Sequence, residues 1–299
     1  GDLKLAKGIK LDKAIYATAE STLDLNGQTI EPAGAWTLAD SGDALVIVKR
    51  GGTLTIDDSS DGKNGKISGN IAGSEQIYSA VKMTVAGEAA NGAVAALILN
   101  NGTLEGKYYA ITGNGTRHDT EITINGGAVN GLEENDSAGI YHPQNGTLTI
   151  NGGTVTGATG VYIKSGAVSV VSGGQIFAYG QHKEFNPSGS GFVATGDAFV
   201  VESCDYPGGT PAIAISGGKF HANGQQTSPV ASYVKSGSQR VVGFVAGGLF
   251  GQEAFDEDLL APGYELVEVT DTETKKLYPY TVQKGSEIQA TTPSLGEWQ

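Results

Sequence analysis

A short segment recurs along this chain, and it constrains the fold more than any other feature. Each copy has an apolar-alternating run, a corner of small residues and a second short run. The clearest copies are LDLNGQTI (23–30), LILNNGTL (97–104), ITINGGAV (122–129), LTINGGTV (148–155), IAISGGKF (213–220) and GFVAGGLF (243–250), with looser copies at 52–67 and 169–176. Such a repeat predicts a solenoid, in which each turn buries its apolar face only by stacking on its neighbours.

Apolar residues occupy fixed positions on both sides of the corner. Those that stand two positions after it are Ile30, Ile67, Leu104, Val129, Val155, Ile176, Phe220 and Phe250. Those that stand three positions before it are Leu99, Ile124, Ile150, Val171, Ile215 and Val245. Intervening residues such as Thr123 and Thr149 are polar, which is the period of a strand with one buried face. We therefore expect the residues that follow the corner to form one internal stack.

A third apolar run precedes each repeat. These runs are LVIVK (45–49), AVKMTV (80–85), YYAIT (108–112), GIYH (139–142), GVYIK (160–164), DAFVV (197–201) and ASYVK (231–235). Three strands per turn make a prism of three sheets, and the Gly and Asn corners supply the positive φ that a turn between sheets requires. A leucine-rich repeat would need Leu at fixed places and a helical return, and neither is present. The sequence predicts an all-β, right-handed parallel β-helix of about eight turns.

The ends of the chain depart from the repeat. We expect residues 1–22 to cap one end and residues 23–252 to form the β-helix. Within 253–282, YELVEV (264–269) and LYPYTV (277–282) flank a polar turn, which is typical of a β-hairpin, so this segment is predicted to cap the other end. Residues 283–299 are predicted to be a tail or linker.

Composition excludes several classes of protein. The 299 residues carry a net charge of −13, which repels phosphate backbones and argues against a nucleic-acid partner. Cys204 is the single cysteine, so neither an internal disulfide nor a Cys-rich zinc site can form. No stretch is long and apolar enough to span a membrane. The chain opens at Gly1 without a signal peptide, and we interpret it as a mature or trimmed form in which an export signal would not be visible.

An aromatic pair is the first candidate binding site. Tyr141 in GIYHPQ and Tyr162 in GVYIK align on successive turns, and they should point the same way about 5 Å apart. Tyr233 in SYVKSG aligns with Tyr162, as Lys235 does with Lys164. Exposed rings beside polar groups suit stacking on sugars, and this requires at least one accessible ring face; the alternative is an aromatic ladder that stiffens the sheet.

His142 and Lys164 complete this candidate face. His142 follows Tyr141 directly, and Lys164 stands two positions after Tyr162. His142 could also be considered as a metal ligand, but no second His or Cys stands at ligand spacing.

Two excursions leave the turn between Ile176 and Phe220. Residues 179–195 include His182 and Phe185, and residues 202–211 include Tyr206. Because both leave the same turn, we expect them to lie close together, and loops on a rigid scaffold commonly carry binding sites. The alternative is that both are tolerated insertions.

A calcium site is the third candidate. Asp57, Ser59 and Asp61 place oxygens at positions one, three and five of an EF-hand-like loop, and Gly62 stands at position six. Position twelve is Ser68 rather than Glu, and no helices flank the segment. The alternative interpretation is an acidic arc between two strands.

The repeats LDLNGQTI, GGTLTIDDSS and GIYHPQNGTLTINGGTV, together with LAPGYELV, resemble those of repetitive right-handed β-helix proteins of gut bacteria. The pattern is also similar to that of phage appendage proteins and, more distantly, of the pectate-lyase-like superfamily. This resemblance implies a secreted, cell-surface or virion protein and leaves the function open, because the shared residues are corner and core positions.

Three functions are compatible with this sequence. We favour a non-enzymatic binding or structural module, adhesin-like, whose partner is a glycan. The alternatives are a polysaccharide lyase or glycoside hydrolase, and an inert spacer. No stacked trio of carboxylates stands on adjacent turns, so we expect no catalytic residues and no lyase or hydrolase activity. The sequence leaves the oligomeric state open.

Overall fold

The computed structural model describes residues 1–34, 43–69, 79–83, 92–115, 119–164, 168–186, 191–204, 206, 209–252 and 256–285. Its strands follow one another in the order sheet A, sheet B, sheet C, and this order repeats eight times. Within these eight repeats, neighbouring strands of a sheet come from successive turns and pair in parallel. The protein is therefore a three-sided parallel β-helix, as the sequence predicts.

The strands are short, and most have three to five residues. Sheet A contains β1 (Asp2–Lys4), β4 (Glu20–Asp24), β7 (Thr53–Asp57), β10 (Ala95–Leu99), β13 (Thr120–Ile124), β16 (Gly146–Ile150), β19 (Val168–Val171) and β22 (Ala212–Ile215). Sheet B contains β2 (Ile9–Leu11), β5 (Thr29–Pro32), β8 (Lys66–Ser68), β11 (Thr103–Gly106), β14 (Ala128–Gly131), β17 (Thr154–Gly157), β20 (Gln175–Ala178), β23 (Lys219–Ala222), β25 (Leu249–Phe250), β27 (Tyr280–Lys284) and β26 (Tyr264–Glu268). Sheet C contains β3 (Ile15–Ala17), β6 (Ala44–Val48), β9 (Ser79–Met83), β12 (Tyr109–Thr112), β15 (Ala138–His142), β18 (Thr159–Lys164), β21 (Phe199–Ser203) and β24 (Val230–Val234).

The predicted internal stack runs through sheet B. Its members are register partners on successive strands, and each is at most 1% exposed: Ile30, Ile67, Leu104, Val129, Val155, Ile176, Phe220 and Phe250. At its end the rings of Phe220 and Phe250 stack with 5.3 Å between their centroids. This confirms the register predicted from the corner.

Glycines are required at the corners between sheets A and B. Gly127 has a φ of +73°, and a Cβ there would lie 2.3 Å from the carbonyl oxygen of Gly102 on the preceding turn. Next to these corners, asparagine amides form a ladder. Asn125 Nδ2 donates to Asn100 Oδ1 and Asn151 Nδ2 donates to Asn125 Oδ1, both at 3.0 Å. The small and amide side chains of the repeat thus let successive turns approach closely.

The ends differ from one another. Residues 1–22 do not form a separate cap, because β1, β2 and β3 pair in parallel with β4, β5 and β6 and make the first turn of the β-helix. At the other end, β26 and β27 form the predicted antiparallel hairpin, and β27 also pairs antiparallel with β25. The polar turn between them contains a short helix, α1 (Thr272–Lys275), and a 3₁₀ helix (Glu257–Leu259) precedes the hairpin. Most of the predicted tail, from residue 286, lies outside the described residues.

Candidate functional site

The predicted aromatic pair lies on the outer side of sheet C. Tyr141 and Tyr162 are register partners on β15 and β18, with 6.1 Å between their ring centroids. Tyr109 on β12 extends the group, and its ring centroid lies 5.1 Å from that of Tyr141. The alignment of the two repeats therefore placed both rings on one ladder correctly.

The ring faces are covered, contrary to the expectation that at least one would be accessible. Phe192, from the excursion after β20, packs edge-on against Tyr109, Tyr141 and Tyr162 at centroid distances of 5.1 to 5.7 Å. As a result Tyr141 is 6% exposed and Tyr162 is 0% exposed. Burial raises the pKa of both phenols. In this structure the tyrosines are the core beneath a loop, and a sugar cannot stack on them unless Phe192 leaves.

Lys164 and Glu202 lie beside these rings and are also fully buried. The Lys164 Nζ lies 3.5 Å from Glu202 Oε2, which also accepts a 2.7 Å hydrogen bond from the Tyr162 hydroxyl. Burial raises the pKa of the Glu202 carboxyl, although the hydrogen bond from Tyr162 and the charge of Lys164 oppose this. The network orders the excursions, because the Gly191 carbonyl accepts from Lys164 Nζ at 3.0 Å and from the Tyr141 hydroxyl at 2.8 Å.

The two excursions meet above sheet C, as predicted. The Gly191 N–H donates to the Tyr206 hydroxyl at 3.1 Å, and Lys164 Nζ lies 4.4 Å from the centroid of the Tyr206 ring. Gly191 of the first excursion and Tyr206 of the second thus both contact the buried ammonium group of Lys164.

Phe185 and His182 belong to a second contact of the same excursion. The Phe185 ring stacks on Tyr233 with 4.4 Å between centroids, and the Tyr233 hydroxyl donates to Asp197 Oδ2 at 2.7 Å. Burial raises the pKa of the Asp197 carboxyl. His182 Nε2 lies 3.6 Å from Glu184 Oε1. The stack of Phe185 on Tyr233 attaches the excursion to the sheet, whereas the contact between His182 and Glu184 lies within the excursion.

The predicted equivalence of Tyr233 and Tyr162 is wrong by two residues. Tyr233 is the register partner of Glu202, which is itself the partner of Lys164. Tyr162 pairs instead with Val200. The similar sequences YVK and YIK can therefore be aligned, but their tyrosines are not register partners in the sheet.

His142 faces the interior rather than the predicted binding face. Its register partner is Ile163, a member of the apolar core, and the imidazole is completely buried. Burial lowers the pKa of His142 to about 4. Among the described residues, neither of its ring nitrogens has a hydrogen-bond partner, and the same is true of both amide atoms of Gln144. His142 is thus separated from Tyr141 by the thickness of the sheet.

The candidate calcium loop forms a hydrogen-bonded arc. Asp57 Oδ1 accepts from the N–H of the next residue at 2.8 Å and from Asn101 Nδ2 at 2.7 Å, while Ser59 Oγ accepts from Lys4 Nζ at 2.6 Å. Asp61 lies in an exposed turn. In the part of the chain that the structure describes, no three His, Cys, Asp or Glu side chains group as metal ligands. The geometry fits the alternative interpretation, an acidic arc between β7 and β8.

Asp58, which the calcium pattern skips, organises this arc. Its carboxylate is fully buried and accepts from the N–H groups of Gly27 at 2.8 Å, Ser60 at 3.0 Å and Gly65 at 2.5 Å. Burial raises the pKa of Asp58, but these hydrogen bonds lower it more, so it lies below its usual value. The carboxylate accepts hydrogen bonds from backbone N–H groups that have no strand partner where the backbone turns.

A half-exposed aromatic group on sheet B was not predicted. The rings of Phe177 on β20 and His221 on β23 stack with 5.5 Å between centroids and 2° between their planes. Tyr278, from the segment between α1 and β27, meets the His221 ring edge-on at 6.4 Å. Lys219 Nζ lies 5.7 Å from the centroid of the Tyr278 ring. We call these four residues the ring surface.

The two faces of the Phe177 ring have different neighbours. Phe177 lies between Thr156 and His221 in an outward-facing column, so one of its faces contacts His221 and the other faces the short Thr156 side chain. The Thr156 hydroxyl donates at 2.8 Å to Asn130 Oδ1 on the preceding turn. Gly251 ends the column on the other side, since a Cβ there would lie 1.8 Å from His221 Nδ1. The aromatic rings of the ring surface therefore protrude beyond the smaller polar side chains of the neighbouring turns.

A signal for the ring surface was present in the sequence. Phe177 and His221 each follow an internal-stack residue in QIFA and KFHA, where the other copies have Glu, Ser, Asn, Thr or Gly. Two large rings at one outward position of successive turns must stack. The contribution of Tyr278 could not be foreseen, because it depends on how the C-terminal cap folds back.

Comparisons with known protein families, with curated proteins and with solved structures find no match for this chain. No helix in the described ranges is long and apolar enough to cross a membrane.

Proposed function

We propose that this chain is a non-catalytic binding module that uses the ring surface to bind a glycan. The observation that carries the proposal is the partly exposed ring of Phe177, whose orientation is fixed by its stack on His221. Both residues are half-buried, so their orientation is fixed while part of each ring stays accessible.

Sugar chemistry suits this geometry. One side of a pyranose ring presents C–H groups that pack against an aromatic face, and its hydroxyls require hydrogen-bond partners. Gln175 stands on the same strand as Phe177, Thr156 on the preceding turn and Asn130 on the turn before that. An aromatic wall with a few placed polar groups is the usual composition of a small-molecule site.

The β-helix provides rigidity rather than depth. The strands of sheet B that carry this surface, β14, β17, β20 and β23, each pair on both sides, so a bound sugar would meet side chains that are already ordered. A shallow surface buries little of its ligand, and we expect weak binding of one short glycan. Several copies on one surface would compensate through avidity.

We further propose a location at a cell surface or on a virion, which the resemblance to gut-bacterial β-helix proteins and phage appendages supports. An acidic chain with a repetitive, rigid fold suits a protein that holds a binding surface away from its anchor. Within this proposal the protein is adhesin-like.

A polysaccharide lyase or hydrolase is the alternative function. Glu202 is its strongest candidate acid, since its pKa is raised by burial beside Lys164 and Tyr162. Its side chain is 0% exposed beneath the excursions, so a substrate would reach it only after they move. The buried network of Glu202, Lys164 and Tyr162 instead holds the two excursions in place, which favours ligand binding at the ring surface rather than catalysis at Glu202.

A glycan array tests the proposal with three proteins: the native chain, Phe177→Ala and Tyr16→Ala. Tyr16 is 53% exposed at the opposite end of the β-helix, so its removal controls for loss of any exposed ring. We expect Phe177→Ala to weaken binding about threefold to tenfold, the value of one aromatic stack, and Tyr16→Ala to leave it unchanged.

Three outcomes would count against the proposal. Equal loss with both variants would remove the ring surface as the site. Absence of binding by the native chain would favour the spacer. Glycan turnover that Glu202→Gln abolishes would establish the enzyme.

A further inference from the structure

We infer that the ring surface selects glycans that carry a negative charge, as uronate or sulfate, and that Lys219 binds this charge. This inference rests on the proposed glycan-binding function. It adds the chemical class of the ligand and the residue that recognises it.

Lys219 differs in its partners from the other lysines on the parallel strands of the β-helix. Lys4, Lys10, Lys66, Lys82 and Lys164 each form an ion pair with a carboxylate of a neighbouring turn. The described residues offer Lys219 no such pair, and its ammonium group lies over the ring of Tyr278. Its charge is therefore held at the ring surface without being neutralised.

On the four strands around Lys219, no described outward position carries a carboxylate. The outward positions of β14, β17, β20 and β23 are occupied by Ala128, Asn130, Thr154, Thr156, Gln175, Phe177, Lys219 and His221. The chain as a whole carries a net charge of −13. An anionic ligand is repelled by most of this surface, whereas the outward positions of these four strands present a cation and no carboxylate.

A groove extends the ring surface and gives the ligand room. Its volume is about 370 Å³, and it is lined by corner glycines of three successive turns together with Lys219, Leu249 and Thr281. Lys219 thus lies between the groove and the aromatic stack. A sugar that packs on a ring of the surface can place an acidic substituent at the ammonium group.

Charge-assisted hydrogen bonds are about twice as strong as neutral ones, and solvent access at a half-buried lysine reduces this gain. We therefore expect an acidic oligosaccharide to bind about tenfold more tightly than its neutral counterpart. This preference should weaken as salt concentration rises.

The test uses ligand pairs that differ only in charge. Oligogalacturonates are compared with their methyl esters, and sulfated chondroitin is compared with desulfated, carboxyl-reduced chondroitin, by calorimetric titration at low and high salt. The proteins are the native chain, Lys219→Gln and Lys66→Gln. Lys66 is on the same sheet but pairs with Glu105, so it controls for loss of one positive charge.

The inference requires that the native chain and Lys66→Gln prefer the acidic member of at least one pair, and that Lys219→Gln loses this preference while keeping its affinity for the neutral member. Equal binding of acidic and neutral members by the native chain would overturn the inference and leave the proposed function intact. A preference that survives Lys219→Gln would also overturn it. Failure of the native chain to bind any glycan, including those of the array, would overturn both.

Discussion

Lys164 and Glu202, register partners on adjacent turns of sheet C, form an ion pair from which solvent is fully excluded. Burying two charges costs several kcal/mol per ion, and the attraction between them repays this only when the remaining hydrogen bonds are satisfied. Here Tyr162 and the Gly191 carbonyl supply such bonds, although Glu202 Oε1 has no partner among the described residues. The pair therefore fixes the loops more than it stabilises the fold.

Removing one member of this pair should be more harmful than removing both. We expect Lys164→Met to lower the free energy of unfolding by about 3–5 kcal/mol, because it leaves the Glu202 carboxylate buried without its cation. The double variant Lys164→Met, Glu202→Met should recover most of that loss. Urea denaturation of the native chain and these variants measures both effects. A double variant as unstable as the sum of its singles would show that the charges stabilise the fold.

The internal stack gives a second prediction. Val155 is fully buried between Val129 and Ile176, so Val155→Asp would place a charge in the apolar core and should cost several kcal/mol. Thr154→Asp, one position earlier on the outer side of β17, is the matched control and should cost little. Thermal unfolding of both variants provides the comparison. Similar losses at the two positions would mean that the strand register is wrong.

The fold was predictable because the residues that determine it recur periodically along the sequence. Residues such as Val129 and Val155 recur at one place relative to a glycine corner, and a parallel stack converts that place directly into a contact. Residues 1–22 were predicted to be a cap because their corner, Ala6-Lys7-Gly8, lacks the Gly-Gly or Asn-Gly pair of most other copies, although β1, β2 and β3 pair like the strands of any other turn. The corner marks most turns of the β-helix but is not required in each.

The candidate site was less predictable because it depends on loops and caps. The sequence placed Tyr141 and Tyr162 on one ladder, but the covering ring of Phe192 comes from a nonrepetitive excursion whose path no periodicity fixes. His142 was predicted on the wrong face of the sheet. Side chains alternate between the two faces of a strand, so an outward Tyr141 places its neighbour His142 inward. The effect of Tyr278 on the ring surface required knowledge of the C-terminal fold.

His142 gives a prediction about pH. Burial holds its folded-state pKa near 4, below the ordinary value of 6.5, so between these values the unfolded chain binds a proton that the folded chain does not. Stability should therefore fall as pH decreases from 6.5 to 4, by on the order of 3 kcal/mol in total from this group.

Replacing His142 by Leu tests this sign. His142→Leu should be more stable than the native chain at pH 4.5, and the difference should be smaller at pH 7.5, where both states of the native imidazole are neutral. Urea denaturation at the two pH values measures it. A stability difference that does not change with pH would show that His142 is not held neutral in the fold.

Hydroxyl-radical footprinting with a glycan identified on the array tests the central claim most directly, because it reports which rings a ligand covers. With saturating ligand, we predict that oxidation of Phe177, His221 and Tyr278 decreases while that of Tyr16, exposed at the far end, stays unchanged. Unchanged oxidation of all three ring-surface residues in the presence of bound glycan, or protection of Tyr16 instead, would contradict the account.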